Sequence, residues 1–113
     1  MKVLGGATRK VILTRRLAFK VPNMMSWKSF LLGLVSNIKE KEFSGYSHRL
    51  CPIKFSIPSG FLVVMPRCLP LNQEEWEIYF DFDEFCREAG VWVEPKIDSF
   101  GRYQGRIVAV DYG

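Results

Sequence analysis

Leu17-Ala18-Phe19-Lys20-Val21, running into Pro22-Asn23-Met24-Met25-Ser26-Trp27-Lys28-Ser29-Phe30-Leu31-Leu32-Gly33-Leu34-Val35-Ser36-Asn37-Ile38, is the stretch that decides the fold. Its first five residues read as a short strand with one lysine in it. Ser26 then has the chemistry of a helix N-cap, because its hydroxyl can accept a backbone N–H of the first turn. Trp27, Phe30, Leu31, Leu34, Val35 and Ile38 recur at the spacing of three and four that marks an amphipathic helix. One face of that helix is expected to pack on the sheet that holds the strand.

Upstream, Val3-Leu4 and Lys10 to Leu13 flank Gly5-Gly6 and read as two more strands, with Arg15-Arg16 in the connection to the third. An antiparallel meander is the simplest arrangement. Downstream, Ile53 to Ile57 and Phe61 to Met65 flank Pro58-Ser59-Gly60 as a hairpin and bring the sheet to about five strands. Asn72 and Glu75 then form a capping-box pattern, and Ile78, Phe82, Phe85, Cys86 and Ala89 make an apolar stripe that stops at Gly90. This predicts a second helix. Arg106 to Val110 is a β-branched run leading into Asp111-Tyr112-Gly113. The expected class is α+β, one domain over 1–113, with sheet and packed helix in 1–66 and the second helix and final strand in 67–113.

A chain of 113 residues, 48% hydrophobic, can bury one core but not two. No run approaches the eighteen apolar residues of a membrane span, and Met1 to Lys10 lacks the apolar centre of a secretion signal, so a cytoplasmic protein is expected. Cys51, Cys68 and Cys86 are odd in number with no CxxC pair, which fits a reducing compartment. His48 and Cys51 lack two further nearby ligands for zinc. Residues 1–50 hold ten Lys/Arg against two acids, and residues 51–113 hold six against ten. That asymmetry suits an anionic partner for the first half.

The order of these elements resembles a protein kinase, and the resemblance runs through nearly the whole chain. Leu4-Gly5-Gly6-Ala7-Thr8-Arg9-Lys10-Val11 resembles a degenerate glycine-rich loop, where backbone N–H groups approach phosphates. Ala18-Phe19-Lys20-Val21 resembles the V-A-I-K strand, whose lysine neutralises nucleotide phosphates and pairs with a helix glutamate. Asn37-Ile38-Lys39-Glu40 gives that partner as Glu40 on pattern, while Glu42 lies nearer the expected apolar face. Leu62 to Pro66 is similar to the strand and hinge that hold adenine, with Met65 at the nucleotide edge. Asp111-Tyr112-Gly113 resembles D-F-G, so Asp111 is the implied Mg²⁺ ligand.

The catalytic loop is where the pattern departs. If Ser99 stands at the asparagine position, Glu94 stands where the catalytic aspartate should be; alternatively Asp98 substitutes for the metal ligand and no base is left. The sequence stops at Gly113, so the acceptor-positioning segment and the helical lobe are expected to be missing. The resemblance therefore implies a catalytically inactive, pseudokinase-like factor of phage or prophage type. It would require no cofactor and act by binding and inhibiting or modulating a host protein, with a homodimer as a further expectation. A minimal Mg-ATP-dependent phosphotransferase or nucleotide-binding protein is the alternative. A nucleic-acid-binding module, using Arg9, Lys10, Arg15 and Arg16 with Trp27 or Phe19 for stacking, ranks last.

Overall fold

In the computed structural model, which describes residues 1–113, the deciding stretch forms strand β3 (Leu17–Pro22) and helix α1 (Trp27–Phe43). The β-period puts Ala18, Lys20 and Pro22 on the buried face of β3. Strands β1 (Lys2–Gly5) and β2 (Arg9–Leu13) precede it; β4 (Phe55–Ile57) and β5 (Leu62–Pro66) follow the helix. All five form one antiparallel sheet in the order β1-β2-β3-β5-β4. The protein is α+β, with the sheet the sequence predicts.

Helix α1 starts as expected, Ser26 Oγ accepting the Ser29 N–H at 3.1 Å, but it is rotated from the expected face. The residues it buries are Gly33, Asn37 and Glu40. Trp27 is 79% exposed, Leu31 53%, Val35 45% and Ile38 44%. The physical reason lies in the sheet, which presents buried Lys20 and Arg9 to the helix. Burying one aliphatic side chain contributes about 1.5–3 kcal/mol. Leaving one buried cation without its carboxylate costs about 3–5 kcal/mol, and here there are two cations. The glutamate face therefore turns inward. Gly33 lets the helix come close, since a Cβ there would stand 2.8 Å from Pro22 Cα.

The second half departs further. The capping box forms, with Glu75 N–H donating to Asn72 Oδ1 at 2.7 Å, but only a π-helical turn follows, Glu75–Tyr79. The chain extends at Phe80 and restarts as α2 (Phe82–Ala89), capped by Asp81 and closed by left-handed Gly90. Ile78, expected on the buried stripe, is 66% exposed. The break lets Trp76 and Phe80 stack, with centroids 5.0 Å apart, and pack on Phe100.

The final strand does not join the large sheet. A second antiparallel sheet combines β6 (Leu69–Pro70), β7 (Phe100–Tyr103) and β8 (Arg106–Ala109). The turn between β7 and β8 is Gln104-Gly105, both at positive φ, 50° and 77°. The sequence reading missed β7 because Gly101 weakens its strand signal. That glycine is required by a close approach, since a Cβ would lie 2.7 Å from Cys68 Cβ.

The main core lies between β5 and this second unit: Val63 and Met65 meet Leu71, Phe85, Val93, Phe100, Val108 and Tyr112. Helix α1 contributes none of these fully buried residues and packs Phe43, half-buried, against them. No helix is long and apolar enough to cross a membrane.

Candidate functional site

A cleft of about 1140 Å³ opens between the β1–β2 turn, β3, the segment after β5, and residues 90–113. Gly5, Gly6, Lys20 and Met65 line it from the sheet side. Glu94, Asp98 and Asp111 line it from the other. Residues singled out across more than a hundred positions of sequence thus share one cavity. Glu40 is fully buried behind them.

Glu40 is the hub. Its carboxylate accepts Lys20 Nζ at 3.0 and 3.1 Å, which settles the partner as Glu40; Glu42 is exposed on the far side of the helix turn. The same carboxylate accepts two Arg9 N–H groups at 2.7 and 3.0 Å, and the backbone N–H groups of Tyr112 and Gly113 at 3.0 and 3.2 Å. Lys20 also donates to the Val110 carbonyl. Burial alone would push the Glu40 carboxyl up, but the charges and hydrogen bonds of Lys20 and Arg9 outweigh it and hold it below the ordinary range.

Arg9 is the residue the sequence reading misplaced. Expected as a surface cation, it is only 9% exposed. It reaches from the start of β2 to join Glu40 with Asp111, whose Oδ1 accepts it at 2.5 Å, and it donates to Asn37 Oδ1 at 3.1 Å. Asn37 in turn donates to the carbonyls of Lys20 and Gly60 at 3.1 and 2.9 Å. A period-2 signal was present. In the β2–β3 register Arg9 faces Pro22 and Val11 faces Lys20, so Arg9 shares the buried face of Lys20.

Two cations, Arg9 and Lys20, therefore meet two carboxylates, Glu40 and Asp111, and the cluster is electrically closed. Desolvation would lower the Arg9 pKa, but the pairing with Glu40 and then Asp111 raises it. A Mg²⁺ ion at Asp111 would stand against a guanidinium already bonded to the same oxygen. No group of three or more His, Cys, Asp or Glu is arranged to hold a metal. The residues present do not fit the metal that the kinase resemblance implies.

The remaining positions are similarly occupied. Gly6 N–H donates to Arg9 O at 2.9 Å, and Asn23 ties the glycine turn down through Gly6 O and Thr8 O at 2.8 Å each. At the hinge, Pro66 has no N–H and Arg67 N–H donates to Arg16 O at 2.8 Å. Met65 is buried opposite Ala18. Glu94 and Asp98 are exposed at the cleft rim, and neither hydrogen-bonds to the Lys20–Glu40 cluster; Glu94 lies 3.6 Å from Lys96. Ser99 is buried with no partner for its hydroxyl, while its carbonyl accepts Val110 and Asp111 N–H groups at 2.9 and 3.3 Å. Of the basic surface set, Lys10, Arg15 and Arg16 are exposed and Arg9 is not.

Compared with protein-family models, curated proteins and solved structures, the chain matches none.

Proposed function

We propose that this chain is a kinase-like protein without phosphotransfer activity, of phage or prophage type, that works in the cytoplasm by binding and modulating another protein. The observation that carries the reading is Arg9, which occupies Asp111 and Glu40 together. For Mg²⁺ to take Asp111 Oδ1, the guanidinium must give up its bond to that part-exposed carboxylate while it stays paired with buried Glu40. Competition for the same oxygen weakens a Mg²⁺-bound nucleotide at this site.

The exposed stripe of Trp27, Leu31, Val35 and Ile38 supports the binding half of the reading. It continues through Phe30, which contacts Phe61 at 6.4 Å, to a half-exposed Phe61. Contiguous apolar surface of this kind marks interaction sites. The pairing of sequence-distant residues in one cleft favours a second reading, a weak nucleotide-binding protein.

The experiment has two arms. Turnover of Mg-ATP should not exceed the protein-free background; turnover that Asp111→Asn abolishes would overturn the proposal. Affinity purification from host cells should recover a partner with the wild type and lose it with Trp27→Ser/Leu31→Ser, both on exposed positions. Recovery untouched by the double variant would count against this face.

A further inference from the structure

Sequence spacing gives no hint of it, but the structure brings Cys51 and Cys68 together with Sγ atoms 3.5 Å apart, while Cys86 stands in α2. All three are free thiols. A disulfide needs about 2.05 Å, so the sulfurs must close by roughly 1.5 Å, within reach of side-chain rotation.

Two buried cysteines in contact are commonly inert, small apolar fillers. Here their surroundings differ. Cys51 is fully buried, whereas Cys68 is half-buried and lines the cleft, so a small molecule entering the cleft meets Cys68 first. We infer that Cys51 and Cys68 form a reversible dithiol–disulfide pair, oxidised through the cleft by a small-molecule disulfide of the glutathione class.

The proton positions agree with that order. The Cys51 thiol hydrogen bond holds the Cys68 thiol below its ordinary value, against the opposing effect of burial and with help from Lys20 and Arg106. The same contact, with burial, pushes Cys51 up. Because Cys68 lines the cleft and Cys51 is sealed behind it, Cys68 is the attacking thiolate and Cys51 the resolving thiol.

Cys68 thiolate attacks one sulfur of the external disulfide, forming a mixed disulfide and expelling one small thiolate, which takes up a proton. Cys51 gives up its proton and attacks Cys68 Sγ, expelling the second small thiolate. Two protein thiols are oxidised and one external disulfide is reduced to two thiols. The new bond would brace the segment between β5 and β6 against Cys51, whose carbonyl accepts the Tyr112 hydroxyl at 2.7 Å. It would thereby fix the wall of the cleft that carries Asp111-Tyr112-Gly113.

The test is to incubate the folded, reduced wild type with oxidised glutathione, then measure intact mass and map peptides without reduction. The expected product is lighter by two hydrogen atoms, linked Cys51 to Cys68, with Cys86 still alkylatable, and reverts with dithiothreitol. Its Tm should rise on the order of 10 °C, because the bond closes a short loop in the unfolded chain. Cys68→Ser should leave Cys51 unreacted, and Cys86→Ser should change nothing. Persistent thiols in the folded wild type, stable mixed disulfides, or pairing through Cys86 would each overturn the inference, and these readouts use only the wild type should a variant fail to fold.

Discussion

Replacing Glu40 by glutamine removes one charge and almost no volume, and it strikes the point on which the cleft depends. Glu40 Oε2 accepts Arg9, Lys20 and the N–H groups of Tyr112 and Gly113, while Oε1 accepts Arg9 and Lys20. Whichever way the glutamine amide is turned, its NH₂ faces donors and cannot accept. At the hub, Arg9 and Lys20 then share one neutral oxygen, and part-exposed Asp111 is the one carboxylate still bonded to the cluster. Breaking a buried ion pair by removing one partner costs about 3–5 kcal/mol, and a domain of this size is stable by only about 5–15 kcal/mol. Urea unfolding followed by tryptophan fluorescence and far-UV circular dichroism should show that loss as a lower midpoint with little change in slope. A loss under about 1 kcal/mol would refute the reasoning, since it would mean the cluster is hydrated rather than sealed.

Stability should hold at neutral pH and fall on acidification. The folded Glu40 carboxyl sits below its ordinary value of 4.5, so its contribution is complete above that value and is lost as pH falls through the depressed one. A melting midpoint unchanged well below pH 4.5 would contradict this. Ser99→Ala, which deletes a buried hydroxyl with no partner, should be nearly neutral or slightly stabilising in the same urea assay, and a large loss would show that the hydroxyl is bonded after all. Trp27→Ser should leave the midpoint within about 0.5 kcal/mol because the indole is 79% exposed.

How much of this could be read from the residues alone differs by element. Strand alternation and the Pro58-Ser59-Gly60 turn gave the five-stranded sheet, since period-2 patterning depends only on neighbours along the chain. Lys20, Glu40 and Asp111 were legible as a pattern, and the fold does bring them to one cluster. The facing of α1 was not legible. Its apolar stripe is stronger than its Gly33-Asn37-Glu40 stripe, and only the presence of two buried cations on the sheet reverses the choice. Arg9 was lost for a related reason: an arginine beside a glycine turn reads as solvated unless its strand register is known. The helix break at Phe80 depends on aromatic packing against Phe100, twenty residues onward, which no local signal carries.

The most direct test of the central claim, that Arg9 fills the place a metal-bound nucleotide would take, is a thermal-shift titration with ATP, with and without Mg²⁺. It should compare the wild type with Lys20→Ala and Asp111→Asn. A ligand bound only by the folded state raises Tm by mass action. The account predicts no Mg²⁺-dependent rise in the wild type at millimolar ATP; a Mg²⁺-dependent rise that both variants abolish would contradict it and establish a working nucleotide site.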